Sequence, residues 1–496
     1  MAMRPILTRR AFGVLLAALA LAGSGCQRSQ EGSFDVVIIG DQPRLVDTAA
    51  AVPTAADSVL LANAAQGLVR FDPNGQIEPG LAERWNVSDD GLSYIFRLAN
   101  AEWQGGGRIT AHQVARLLRR QLTAASKNPI KDTIGVVEEV IAMTDRVLEI
   151  RLRAPRSNLL QLLAQPEFAL VRNGHGSGPF EPEANEGERG GLLLMRQIVG
   201  SDEEEVRQEE IVLNGATAAR AINRYIDGDT DLVLGGTFND LPLARRTGLP
   251  RRALQFDPVA GLFGLAPGRA DGPLDDPDLR RLLAQAIDRD ALLAELDVPG
   301  LLPRATTLEI GLEGLPNPVA PRWTATPLGD RRPALILAAD RLFGSLDRPT
   351  LRVLLPEGPG GTLLLRRLAS DWGLLGIKVE RTPSARSADL ILIDEVAPST
   401  SPAWFLRRFR CGVAPVCDAE VDEMLTGARE TLIPAQRNAL LAQAAQKIDE
   451  LQLFLPIAAP IRWSLVASRV EGFAGNRFGR HTLTGLGDKP SREGAE

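Results

Sequence analysis

Residues 63–103 read NAAQGLVRFDPNGQIEPGLAERWNVSDDGLSYIFRLANAEW, and the order of apolar runs and turn residues in them decides the fold. Leu68, Val69 and Phe71 make a short apolar strand that stops at Asp72-Pro73-Asn74-Gly75. There proline presets one turn dihedral and glycine accepts a positive φ. Trp85 and Val87 lead into a second turn, Ser88-Asp89-Asp90-Gly91. Beyond it Leu92, Tyr94, Phe96 and Leu98 alternate with Ser93, Ile95 and Arg97, the period of a strand with one buried face. The stretch predicts two hairpins side by side.

The same run closely resembles the signature of the family 5 extracellular solute-binding proteins, the peptide- and nickel-binding components of ABC importers. Hairpins by themselves carry no message about transport, so the rest of the chain has to be read against the resemblance. Thr110 and Gln113 form a capping box ahead of Val114, Leu117, Leu118 and Leu122 at helical spacing, where relatives have a similar helix; His112 in its first turn reads as a surface residue. Pro155 to Leu163 and Gly174 to Phe180 resemble two further family segments, the second a crossing back into the first lobe. That glycine-rich crossing fits neither a nucleophile elbow nor a Walker loop. Asp276 is a good N-cap with Pro277 at the first helical position, and Leu279, Leu282, Leu283, Ala286 and Ile287 form an apolar stripe. With Asp288-Arg289, read as helix-end scaffolding, this is the second strong family match. Gly376 to Val379, Asp418 to Glu430, Pro434 to Leu451 and Val470 to Phe473 also match, so recognisable motifs run from about residue 60 to 475.

The resemblance implies an α/β fold: a two-lobe periplasmic binding protein, type II and cluster C-like, with an extra small β-rich domain inserted in lobe one. Lobe one is expected from 34–60, 175–257 and 465–484, the inserted domain from 61–174 and lobe two from 258–464. Strands at Phe34 to Ile39, Asp229 to Leu234, Leu351 to Leu355, Ile377 to Glu380 and Asp389 to Ile393, with helices at Thr217 to Asp227 and Thr362 to Leu375, suit α/β lobes. Gln255 to Leu265 and Ile461 to Val466 are the expected interlobe crossings, Pro303 to Ala334 a Pro- and Gly-rich loop, and Glu203 to Glu205 with Glu209 and Glu210 a solvated acidic face.

Composition narrows the class. At 496 residues the chain needs more than one core. A net charge of −6 with scattered arginines argues against a nucleic-acid footprint. Arg4, Arg9 and Arg10 precede an apolar run from Ala11 to Ala22, too short for a comfortable membrane span and read as an export signal. Arg9-Arg10 also suits the twin-arginine route, with an ordinary Sec signal as the alternative. Cys26 after small residues resembles a lipobox whose cysteine becomes lipidated, although Leu21 lies two places too far from it; 27–33 would be the tether and 485–496 a disordered tail. Cys411 and Cys417 then remain in an oxidising compartment and most simply form one small-loop disulfide. A metal pair is the alternative, but His112, His175 and His481 lack ligand spacing, and no metal or cofactor is expected.

For the binding site, the resemblance points to two loops. Asp41 and Gln42 follow the first strand and are candidate ligand contacts, with a solvated turn as the alternative. In the second loop relatives carry Asp for a ligand amine, and here Pro398 and Ser401 stand at those positions. Neither accepts a charged amine as a carboxylate does. Asp394 or Glu395 is the candidate substitute; Ser399 and Ser401 are further contacts, and Trp404 is either a stacking or a core residue. The expected function is a lipid-anchored, monomeric periplasmic receptor that closes on a solute, with peptide the leading class, and docks on a permease whose ATPase subunits are separate chains. A non-peptide solute, or a sensor or chaperone without a permease, is the alternative. An enzyme is not expected, because no nucleophile–base spacing, metal cluster or cofactor loop is present.

Overall fold

The computed structural model describes residues 33–187, 190–199, 206–246 and 248–488. The export signal, Cys26, residues 27–32 of the tether, Glu203 to Glu205 and the tail beyond 488 lie outside the described residues.

Two large sheets organise the molecule. The first has seven strands in the order Leu254–Phe256, Arg462–Val466, Leu232–Thr237, Ser33–Ile39, Val206–Ala216, Leu192–Val199 and Glu181–Ala184. Ser33–Ile39 sits inside it, parallel to both neighbours, and its run Phe34 to Ile38 is wholly buried. A β-branched strand covered on both faces is what a central parallel position requires. Asp35 interrupts the run and is satisfied by Thr230 Oγ1 at 2.9 Å and the Arg224 guanidinium at 3.0 Å. The second sheet has five strands, Lys378–Arg381, Thr350–Leu354, Leu390–Val396, Gly261–Pro267 and Leu455–Ala458 in that order.

Helices pack these sheets as the caps and stripes predict. Asp276 Oδ1 accepts from the Asp278 amide at 2.8 Å, Pro277 opens the helix Pro277–Ala286, and the whole apolar stripe is buried. Asp288 caps the next helix by accepting from the Ala291 amide, and Arg289, buried beside it, donates to the carbonyls of Ala284, Arg304 and Pro456. The pair is scaffolding, as expected. Trp372 is fully buried at the end of the helix Pro359–Gly373 and donates through Nε1 to the Leu283 carbonyl, tying two helices together.

The decisive stretch folds as two hairpins, Val69–Phe71 with Ile77–Pro79 and Ala82–Val87 with Ser93–Leu98. Gly75 holds φ +77° in the first turn, the left-handed conformation for which glycine was read. Tyr94, Phe96 and Leu98 point inward, and Ile95 and Arg97 outward. The second hairpin joins Val147–Leu152 and Val137–Thr144 in a four-stranded sheet covered by the helix Ala111–Leu122, whose Thr110/Gln113 capping box is formed. Cys411 and Cys417 are disulfide-bonded, with Cα atoms 5.3 Å apart.

Four expectations need correction. Glu209 is buried, not solvated: it pairs with Arg196 at 2.8 Å and accepts the Gly485 amide, because strand alternation turns it inward. A helix, Leu328–Phe343, starts inside the expected loop; Leu328, Leu335, Ala339, Leu342 and Phe343 pack on the main core at helical spacing despite Pro333. The expected tail begins too early, since Leu486 is buried and its carbonyl accepts the Glu471 amide. Finally, the return to the first sheet precedes residue 465, because Arg462 already pairs with Thr237.

One buried acid holds the segment after the second helix of lobe two. Asp449 accepts from the Thr307 amide at 2.8 Å and hydroxyl at 2.6 Å, and burial pushes its carboxyl up from 3.8 to about 7, although the Thr307 bonds oppose the shift. A raised acid stabilises the fold while protonated, so this contribution is complete below 3.8 and disappears as pH rises through about 7. Asp449→Asn keeps the acceptor and cannot ionise. Its thermal midpoint relative to the parent protein is expected to rise steadily between pH 4 and pH 7, as read by calorimetry at several pH values about one unit apart.

Candidate functional site

The sheets are joined by chain crossings at 257–260 and 459–461, between strands that belong to different sheets. Arg462 starts the returning strand and donates to Asp394 Oδ1 at 2.8 Å and to the Asp394 carbonyl at 3.2 Å, across the two sheets. Burial pushes the Asp394 carboxyl up, and Arg462 opposes that. The Asp257 amide bonds the Arg462 carbonyl at 3.0 Å, while the Asp257 carboxylate takes the Asn476 amide and His481 Nε2. This is a dense polar pivot beside both crossings. It engages Asp394 through Oδ1 and the backbone carbonyl, so this candidate contact is ion-paired beside the crossings.

Away from the pivot, the lobes meet across hydrogen bonds between side chains and backbone. Asn239, just past the strand Leu232–Thr237, donates to the Glu357 carbonyl at 2.8 Å and accepts the Gly361 amide at 3.0 Å. Its own carbonyl accepts the Gly360 amide at 2.9 Å. Sequence reading missed Asn239, because an Asn after a strand is ordinary turn chemistry. On the other side, the 398–400 loop meets the short helix Leu159–Leu163 and its flanks. Asn158 Nδ2 donates to Ser399 Oγ at 2.7 Å, Gln165 to the Pro398 carbonyl at 2.8 Å, and the Thr400 amide to Gln161 at 3.0 Å. Ser399 is thus a seam residue.

The remaining expected contacts fall in three places. Gln42 forms a two-way pair with the Gly215 backbone, both bonds 3.0 Å, and a Cβ at Gly215 would lie 2.0 Å from the Asp41 carbonyl. That pair holds the loop of exposed Asp41 against the end of Val206–Ala216, at the C-terminal edge of parallel strands where α/β sheets take ligands. Glu395 is clasped by Arg408, with Nε 3.1 Å from Oε2. Ser401 and Trp404 line a cleft of about 920 Å³ between residues 129–158 and 401–441.

Trp404 is 4 % exposed, stands edge-on to Phe405 at 5.1 Å and carries the Arg407 guanidinium over its ring. It belongs to a core cluster and to the cleft wall at once. The cleft also holds Arg156, Arg407 and Arg429, none of which the sequence marks: the arginines are far apart in the chain and follow no spacing rule. Among the described residues no cluster of His, Cys, Asp or Glu could hold a metal ion, and no helix is long and apolar enough to cross a membrane.

Comparison with known proteins agrees with this architecture. A sequence model described as bacterial extracellular solute-binding proteins, family 5 Middle, matches residues 76–308. The chain is similar to a probable di/tripeptide-binding protein 5 of Pseudomonas aeruginosa, at 25% identity over 96% of this chain and 98% of that protein. It is also similar to the periplasmic oligopeptide-binding protein OppA of Salmonella typhimurium, at 22% identity over 83% and 84%. Among solved structures, the Escherichia coli murein tripeptide binding protein MppA superposes with a TM-score of 0.76 at 19% identity, covering 92% of this chain and 98% of that one. Haemophilus influenzae OppA in complex with RPPGFSPFR gives 0.74 at 17% identity, over 90% and 97%. The chain is thus similar along its length to these peptide-binding proteins, shares their two-lobe fold, and over residues 76–308 matches the family 5 bacterial extracellular solute-binding proteins.

Proposed function

We propose that the chain is the substrate-binding component of an ABC importer, closing its two lobes around a solute and delivering it to a membrane permease served by separate ATPase subunits. The observation that carries this reading is the contrast between pivot and seam. The pivot is buried and ion-paired. The seam is built from hydrogen bonds at Asn239 and at Ser399, which exchange for water bonds at a net cost of about 1 kcal/mol each. Such a molecule opens and closes as a hinge, and a solute that touches both faces favours the closed state.

A short peptide is the solute class that the names of the relatives support. Export by the N-terminal signal, an anchor at Cys26 and a monomeric receptor at the membrane surface complete the proposal, on the strength of the sequence motifs alone. A non-peptide solute is the second reading. Asp394 and Glu395 are each neutralised by an arginine, which leaves the expected amine-binding loop without a free acid, and the fold is shared with a binding protein, AgaA, solved in complex with agropinic acid.

Two measurements test the proposal. Native mass spectrometry of the purified protein, followed by release of whatever co-purifies, is expected to find short peptides; a single non-peptide solute would move the chain to the second reading. Asn239→Ala removes both side-chain bonds of one seam. Small-angle scattering of the ligand-free variant is expected to show a larger radius of gyration than the parent, and an unchanged radius would mean that Asn239 does not hold the lobes together.

A further inference from the structure

The cleft between the small β-rich region and lobe two is lined by six arginines against Asp132 and Glu430. Some of the six are spoken for: Arg408 by Glu395, Arg410 by Asp422 at 3.4 Å. Arg156, Arg407 and Arg429 are different. None of their guanidinium groups has a hydrogen-bond or ion-pair partner among the described residues, and Nε of Arg156 is buried without one. Nε1 of Trp404, on the same wall, is likewise buried and unpartnered. Arg156 and Arg407 are half-buried and Arg429 is exposed, and a partly desolvated guanidinium without a partner is costly; its planar fork is the group that best matches an oxyanion.

We propose that this cleft binds a small solute bearing two or more acidic oxyanion groups, carboxylate or phosphate, held between Arg156 on one wall and Arg407 and Arg429 on the other. The proposal rests on the receptor reading above and names the ligand chemistry of that receptor. At about 920 Å³ the cleft suits a small molecule. Burial lowers Arg156 and Arg407 to about 10, with Arg437 and Arg429 adding to the push on Arg156 and Asp132 opposing it at Arg407. Arg156 and Arg407 remain charged at neutral pH. The like charges of Arg156 and Arg429 repel, and a doubly charged anion between them would convert that repulsion into two sets of charge-assisted bonds. Arg156 follows Pro155 in the small region, whereas Arg407 and Arg429 belong to lobe two. A bridging anion therefore reinforces the seam that Asn158 and Ser399 begin, and binding is coupled to closure.

Isothermal titration calorimetry on the purified chain, in chloride buffer free of other oxyanions, tests this with four probes: tricarballylate, inorganic phosphate, the dipeptide Asp-Asp and trialanine. The expected result is saturable binding of at least one anionic probe, with carboxylate and phosphate sources separated by which of them binds more tightly. Arg156→Gln and Arg407→Gln should each weaken it by about tenfold or more, and Arg386→Gln, an exposed arginine outside the cleft, should not. Circular dichroism confirms that each variant is folded; if a half-buried arginine variant does not fold, the exposed Arg429→Gln carries the test. Failure of all three anionic probes, or anion binding unchanged by the cleft variants, overturns the inference. If trialanine alone binds, the inference falls and the peptide-receptor reading stands.

Discussion

The ion pair between Arg462 and Asp394 is the constraint around which the two lobes are arranged. It links the first strand residue after the return crossing to a strand of the opposite sheet, 2.8 Å from nitrogen to oxygen, and the same guanidinium also takes the Asp394 carbonyl. Desolvation alone would make a carboxylate here expensive, and the pair survives because the geometry gives the arginine two acceptors at once. Trp463, the next residue, donates through Nε1 to the Thr237 carbonyl and packs over Gly236, where a side chain would collide with the indole. The two crossings are therefore tied together by buried polar and aromatic contacts beside the point where the chain passes between the sheets.

Distance from the pivot decides how easily other contacts part. Asn239 and the 357–361 loop, and the 398–400 loop with Asn158, Gln161 and Gln165, use neutral hydrogen bonds. Arg437, donating to the Pro155 carbonyl at 3.0 Å, is the charged member of that second seam. The arginine-lined cleft lies alongside, so the seam and the candidate binding surface share one edge. A ligand placed there would bridge the same two faces that the neutral bonds join.

Local structure was legible in the sequence wherever a residue's role is set by its immediate neighbours. The turns at Asp72–Gly75 and Ser88–Gly91, the capping box at Thr110, the cap at Asp276 and the disulfide all follow from short-range chemistry and are present. What failed depends on partners distant in the chain. Glu209 reads as part of an acidic run until Arg196 is seen beside it across the strands. Likewise nothing in the sequence announces Arg462 and Arg408 as the partners of the candidate contacts Asp394 and Glu395. Leu328–Phe343 was hidden by Pro333, whose helix-breaking tendency is overridden by the packing of its apolar face. The cleft arginines illustrate the same limit: the fold alone brings Arg156 together with Arg407 and Arg429.

The central claim is that the lobes turn about the Arg462–Asp394 pivot and that a bound solute selects the closed arrangement. Distance measurement by double electron–electron resonance addresses it most directly, with spin labels at Arg220 in the first lobe and Leu374 in the second, both exposed. The account predicts a broad or two-peaked distance distribution in the ligand-free protein that narrows to one distance when the co-purified solute is restored. A single distribution that is the same with and without solute would contradict it.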